Sequence, residues 1–556
     1  MNIKTMISLG TLAAVLVGCG GNDGITLAPT SNVSNSNNTT GGGSGSTNPC
    51  ANYQVSGQTF QGSFDGDNCT YDVTFVSDTR PLIADLNIPA LSNNGIHIFE
   101  DSLWVGEDVN AAAAQQGVRI PQDGEGPTLT IAPGSKIAFS APEDYIRIAR
   151  GSRIIAEGTP SNPIIFSAVS DLRDGTATEA DRGLWGGMQI NGNGFTNKCS
   201  MANGDPFDPN NLTGDFAPMG SNPHGCHVTA EGRPATYGGV NNLENSGSLR
   251  YVQIRHAGYE VVDGDELNGL TLNGVGSGTT IEYVQVYTTQ DDGFEMFGGA
   301  VNMKNVVAVN VGDDSIDYSE GYVGNIQFAL VVHTSGGNRC IEGDNTGDSR
   351  ADDIGPFTKL RISNMTCLTS NIDEGTGTEP SSKGDSEGPL YREGVYFEMY
   401  NSLITSNEAV MASNECLEID NPQAVAGAET DGFSVASGNL ISCTEPLKTD
   451  GATFDINTWW TATNALVDDP ANLPATVLVG LDSNPRAYIT ETNLQDANTT
   501  PIAVSIYDVT QLEDTFDAQA APAVGATGDS SFFETVDFIG AVKSGEDWVT
   551  GWTTGL

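Results

Sequence analysis

Residues 281–333 repeat themselves at a shift of 22: Asp292 falls on Asp314, Glu295 on Asp317, Gly299 on Gly321 and Val301 on Val323. The β-rich run Tyr283–Tyr287 falls on Asn305–Val309 and, by the same shift, on Gln327–Val331. One β-rich run and one glycine-bounded corner per short period restrict the chain to an architecture in which each unit buries its apolar face against the next, a β-solenoid. Five further runs, Leu129–Ile131, Lys136–Phe139, Tyr145–Ile148, Arg153–Ala156 and Pro163–Phe166, are rich in β-branched residues. Pro-Gly, Arg-Gly and Gly-Thr-Pro corners separate them. Strands this short and this closely spaced suit an all-β, right-handed parallel β-helix of ~22-residue coils, each strand stacked on its equivalent about 4.8 Å away.

Lys+Arg is 23 against Asp+Glu 71, a formal net charge of -48. That balance excludes nucleic acid, whose phosphates need a basic surface, and opposes direct docking on anionic lipid headgroups. It suits a large soluble surface protein, divalent cations or cationic partners. Met1–Cys19 opens with Lys4 and an apolar stretch, Met6–Val17, too short to span a bilayer. Leu16-Val-Gly-Cys19 resembles the bacterial lipobox. The resemblance implies cleavage before Cys19, lipidation of Cys19 and, with Gly20 rather than Asp following, an outer-membrane anchor at the cell surface. Gly20–Asn48 is almost devoid of apolar residues and is expected to be a disordered tether reaching about 30 Å.

The other eight cysteines, taken in order, are Cys50 and Cys69, Cys199 and Cys226, Cys340 and Cys367, Cys416 and Cys443, separated by 19, 27, 27 and 27 residues. An even number in an exported chain implies disulfides. Eight cysteines allow 105 connectivities; the equal gaps favour sequential pairing. The expected organisation is a signal peptide over 1–19, the tether over 20–48, an N-terminal cap over 49–126 with a short helix N-capped by Asp108, and the β-helix over 127–445. Insertions interrupt the β-helix at about 193–245 and 338–389. Coils and a C-terminal cap fill 446–556, with a helix near Ile456–Val467 and the aromatic ending Phe532–Trp552 folded back on the final coils.

Several elements carry a family resemblance: the run from Ile131 through Ala168, Gly183-Leu-Trp-Gly-Gly187, Ser246-Gly-Ser-Leu-Arg-Tyr-Val252, Gly276-Ser-Gly-Thr-Thr-Ile-Glu-Tyr-Val284, Phe538-Ile-Gly-Ala541 and Asp547-Trp-Val-Thr-Gly-Trp552. Over about residues 127–556 the chain resembles a family of bacterial surface proteins and lipoproteins built on this β-helix. The resemblance implies fold and location, and no particular enzymatic activity.

The acidic positions of the repeat are the strongest candidate site. Asp291, Asp292 and Glu295 fall one coil from Asp313, Asp314 and Asp317. Stacking sets like charges about 5 Å apart, which is costly unless something neutralises them. Three readings are open. The side chains cap corners through backbone N–H groups; or they bind Ca²⁺, which takes oxygen ligands; or Asp292, Asp313 and Asp314 are catalytic. The last has a resemblance behind it, since Gly312-Asp-Asp314 matches an element of polygalacturonase-type glycosidases. That family's other elements are replaced here by Thr289-Gln-Asp-Asp, His333-Thr-Ser-Gly-Gly and Arg361-Ile-Ser. A polysaccharide lyase would need a cationic base, for which Arg255, His256 and Lys304 are the candidates, and the scarcity of basic residues opposes a cleft for polyanions unless Ca²⁺ bridges. His224-Gly-Cys-His227 holds ligand types at close spacing, but Cys226 is expected in a disulfide and two histidines make a poor site. Trp185, Trp459 and Trp460 suit core or cap packing. The balance of these residues favours a non-enzymatic, membrane-anchored lipoprotein that binds a polysaccharide, a surface protein or itself through loops. A carbohydrate-active enzyme is the alternative.

Overall fold

A computed structural model describes residues 48–199, 226–233, 235–239, 241–262, 265–334, 337–347, 355, 357–370, 384–406, 415–467, 478–479, 486–487, 489–490, 505–512, 532–543 and 545–556. The lipobox with Cys19 and nearly all of the expected tether lie outside the described residues. The strands stack coil on coil into parallel sheets along three faces, the all-β parallel β-helix that the repeat predicts. Sheet 1 has ten strands, from Leu103–Val105 through Phe294–Phe297 and Ile316–Ser319 to Glu445–Thr449. Sheets 2 and 3 are joined because single long strands, such as Thr280–Tyr287, Asn302–Val309 and Asn325–Val332, bend from one into the other.

Each bend is made by one residue in left-handed backbone conformation. Tyr251, Tyr283, Asn305, Phe328, Asn364 and Asn401, with φ between 48° and 63°, stack into a column along the corner. The registers skip them and resume on either side, for instance Glu282↔Lys304 and then Val284↔Val306. Strand alternation sends Phe294, Met296, Met303, Val306 and Ala308 of one coil inward, and Ile316, Tyr318, Ile326, Ala329 and Val331 of the next lie on equivalent positions. Each such side chain contributes roughly 1.5–3 kcal/mol on burial.

The step is 22 residues between Ile281 and Met303 but 23 between Met303 and Ile326. Asn305 therefore stacks on Phe328, and the expected alignment with Gln327–Val331 is corrected by one residue. The extra residue is Gly324, at a corner so tight that a Cβ there would strike the Tyr322 hydroxyl and the Val301 carbonyl.

Three other expectations are corrected. The β-helix starts well before residue 127: Cys69–Tyr71 pairs in parallel with His97–Phe99, which pairs with Lys136–Phe139, and Leu86–Ile88 pairs with Thr128–Ile131. The cover of the first coil is the antiparallel hairpin Asn52–Val55 with Gln58–Gln61, whose Tyr53 packs edge-on against Phe75. The short helix Ala111–Gln115 is capped by Asn110, while the Asp108 carboxylate binds Thr236 through both its N–H and its hydroxyl. The stretch 338–389 is not wholly an insertion, because Glu342–Gly343 continues sheet 1 and Lys359–Thr369 continues sheets 2 and 3.

The cysteines pair in sequence order, Cys50–Cys69, Cys199–Cys226, Cys340–Cys367 and Cys416–Cys443. The last two bridges lie inside the coils, all four of their residues fully buried in the main core. Helix Ile456–Thr461 closes the far end, with Trp460 buried in that core.

The aromatic ending meets the final coils at Leu440 and Ala465 but reaches far beyond them. It runs back as a strap over the outer face of sheet 3, where Ile539, Ala541, Val542, Val549 and Trp552 form a second apolar cluster with Tyr287, Val307, Val309, Leu330, Val332, Leu368 and Leu403. Gln285 fixes it by a reciprocal pair of bonds with Thr554, and Gln327 by another with Glu534. The reason is apolar area: both faces of sheet 3 are hydrophobic, and the outer one needs a cover.

Candidate metal centre

Asp291 and Asp292 lie in the corner that leads into the sheet 1 strand Phe294–Phe297, and Glu295 points outward from that strand between the inward Phe294 and Met296. Asp313, Asp314 and Asp317 repeat the arrangement one coil on, with Glu295 stacked on Asp317. Asp317 in turn stacks on Glu342. The structure thus brings all six predicted acids together and adds a seventh.

Part of this array is backbone capping. Asn268 Oδ1 accepts from the Asp292 N–H at 3.2 Å, Asp292 Oδ1 from the Asp314 N–H at 2.9 Å, and Asp314 Oδ1 from the Arg339 N–H at 2.7 Å. One oxygen of each aspartate is thereby committed to holding the next coil. Capping does not account for the rest. Carboxylate oxygens within 4.8 Å of one another form three overlapping triads: Asp291, Asp292 and Asp313; Asp292, Glu295 and Asp317; Asp314, Asp317 and Glu342. Asp317 Oδ1 is buried without a hydrogen-bond partner among the described residues. Burial, reinforced by the neighbouring carboxylates, raises the Asp292, Glu295, Asp314 and Asp317 carboxyls well above the ordinary carboxylate range.

At one end of the stack a cation compensates. Arg392 pairs with Glu342 and Asp344, each at 2.9 Å. Arg339 is spent on Glu387 and Glu418. The disulfide-bridged insertion covers the other end of the outer face: Phe297 packs with Ala230, Ala235 and Tyr237, and the Tyr237 hydroxyl donates to Glu320. Asp292, Glu295 and Asp314 are closed off at 3–6 % exposure, whereas Asp313, Asp317 and Glu342 are half-buried, so an ion would enter from their side.

The remaining candidates fall elsewhere. His227 contacts Arg150 at 3.2 Å, and burial followed by that charge lowers its pKa to about 4; Cys226 is in its disulfide, and His224 lies outside the described residues. Arg255 bonds Gln253, His256 bonds the Asp181 carbonyl and Lys304 reaches the strap at Phe532 and Glu534. Trp185 stacks on Phe139 in the core, 4.8 Å between centroids.

Sequence reasoning missed Asn268, Glu342 and Arg392. A signal existed for the first: Asn268-Gly-Leu aligns with Asp292-Gly-Phe at a shift of 24 instead of 22. Glu342 stands 25 residues after Asp317, outside the repeat's register.

Comparison with curated proteins finds no match, and comparison with solved structures finds none. Comparison with family models matches residues 122–473, more than half of the chain, to the pectate-lyase-like β-helix domain. The parallel stacking of sheets 1 to 3 over those residues agrees with that match, and the chain belongs to the pectate-lyase-like β-helix family.

Proposed function

We propose that the protein is a Ca²⁺-binding β-helix of the bacterial cell surface, anchored in the outer membrane by lipidated Cys19, that binds glycan without cleaving it. The observation that carries this reading is the stack of three carboxylate triads on successive coils, with Asp317 shared by two of them. Asp291, Asp292, Glu295, Asp313, Asp314, Asp317 and Glu342 offer the oxygen donors that a hard cation takes. When bound, Ca²⁺ would neutralise the stack and offer its open positions to the carboxylates of an acidic sugar. A chain of net charge -48 needs some such bridge to hold a polyanion.

Hydrolysis with inversion is less well supported by the same geometry. Oxygens of Asp292 and Asp313 lie within 4.8 Å, short of the roughly 6.5–9.5 Å that leaves room for an inverting enzyme's water. Asp292 and Asp314 also each have an oxygen tied to backbone.

Family membership favours a second reading, a polysaccharide lyase, with Arg392, paired with Glu342 of the stack, as its basic side chain. Burial lowers the Arg392 pKa, but the hydrogen bond to Asp344 and the charge of Glu342 outweigh it and raise the pKa, which opposes a role as base.

Calorimetric titration with Ca²⁺, followed by a polysaccharide panel assayed for binding and for unsaturated or reducing-end products, tests both readings. Saturable Ca²⁺ binding and Ca²⁺-dependent retention of an acidic glycan without products are expected. Products lost in Arg392→Ala would establish the lyase, and absence of Ca²⁺ binding would sink the primary reading.

A further inference from the structure

A second feature lies on another face. Where the strap crosses the corner between sheets 2 and 3, it stands off the β-helix and leaves a cavity of about 570 Å³, within the roughly 300–1,000 Å³ usual for small-ligand sites. Tyr283, Asn305 and Phe328 of the left-handed column line its floor; Glu534, Asp537 and Trp548 of the strap are among the residues of its wall. We infer that this cavity binds an uncharged sugar residue.

Asn305 carries the argument. Further along the column, Asn364 donates its amide to the strap carbonyl of Phe538 at 3.1 Å and Asn401 to the Tyr507 carbonyl at 2.9 Å. Asn305 occupies the equivalent position, is 7 % exposed and has no hydrogen-bond partner among the described residues. Its amide lines the cavity, where a ligand could supply the partners that the strap gives Asn364. The amide offers both donor and acceptor, as a sugar hydroxyl does.

The walls agree on the class of ligand. Tyr283 and Trp548, half-buried with ring centroids 6.3 Å apart at 72°, supply apolar faces for C–H groups. Glu534, Asp537, Glu546 and Asp547 supply hydroxyl acceptors, and this excess of negative charge repels uronates and phosphates. Lys543, paired with Asp537 at 2.9 Å and Glu546 at 3.2 Å, already occupies the place a cationic ligand would take. The site lies on a different face from the carboxylate triads, so it needs no cation and goes beyond the reading given for them.

The experiment uses the folded chain in excess EDTA, which silences the triads. Cello-, xylo-, manno- and laminarihexaose are titrated by calorimetry and tryptophan fluorescence, with hexagalacturonate as the charged comparison. At least one neutral hexaose is expected to bind and change the fluorescence. Asn305→Gly, which keeps the left-handed backbone, should weaken it about tenfold. Should that variant fail to fold, Trp548→Phe decides, with weaker binding expected. No binding by any neutral hexaose, binding of hexagalacturonate alone, or full affinity in the folded variants would overturn the inference.

Discussion

Replacing Asp317 by asparagine should stabilise the protein in EDTA and lose that advantage in Ca²⁺. Asp317 has oxygens within 4.8 Å of Asp292 and Glu295 in one triad and of Asp314 and Glu342 in another. Two charges at 4.8 Å repel by about 3.5 kcal/mol at an effective dielectric constant of about 20. Without a cation, at pH 8, the fold must tolerate that repulsion or hold a proton instead. The Asp317→Asn change removes one charge, retains the shape and adds an N–H donor to neighbouring carboxylates, for an expected gain of about 3 kcal/mol. Calcium reverses the ranking. At 100 times its dissociation constant it stabilises the wild type by about 2.7 kcal/mol, and at 1,000 times by about 4.1. The variant, missing a ligand shared by two triads, gains little. Urea denaturation at pH 8, in EDTA and across a Ca²⁺ series, reads both effects. A variant destabilised by the same amount in EDTA and in saturating Ca²⁺ would refute the reasoning, because Asp317 would then be a structural side chain and no ligand.

Two further outcomes follow from buried groups away from the triads. Glu244 is 1 % exposed, and burial raises its pKa to about 7 despite bonds from the Gly276 N–H and the Ser246 hydroxyl. A raised folded-state pKa gives stability that is fully present below the unfolded value near 4.5 and is lost as pH rises through about 7. The loss amounts to about 3 kcal/mol. Glu244→Gln should therefore flatten the stability profile across that window, measured as urea midpoints from pH 4.5 to 8; an unchanged slope would remove the assignment. Replacing Cys416 and Cys443 by Ser opens a 27-residue cross-core loop and should cost about 3.5 kcal/mol, read by the same denaturation under non-reducing conditions.

The acids of the repeat could be found in the sequence because two consecutive coils happen to share a 22-residue step, so that Asp292 and Asp314 aligned without any knowledge of the fold. Where the step changes, the signal fades. The first coils have strands of three to five residues whose steps run from 25, between Thr128 and Arg153, to 43, between Leu86 and Leu129, and no fixed shift aligns them. Glu342 was hidden for the same reason. Asn305 could not be singled out, since its isolation depends on where a segment more than 200 residues later leaves the surface. One available clue to that segment went unread. Val306–Val309 and Ala329–Val332 are unbroken apolar runs, and a strand with only one buried face alternates. Those runs required something to cover sheet 3 from outside.

The strap also changes how the molecule should come apart and come together. Stacked repeats ordinarily trade stability only with their neighbours and can fray coil by coil from an end. Here Gln253 bonds Trp552 across 299 residues and Gln285 bonds Thr554 across 269. Loss of any rung under the strap costs the contacts of several others, which couples the middle of the β-helix into one cooperative block. Contacts of such long sequence separation form slowly, and a chain that emerges N-terminus first has its central coils exposed along sheet 3 until its last residues arrive. Removing residues 532–556, most of whose contacts lie on the central coils, would loosen the middle of the β-helix.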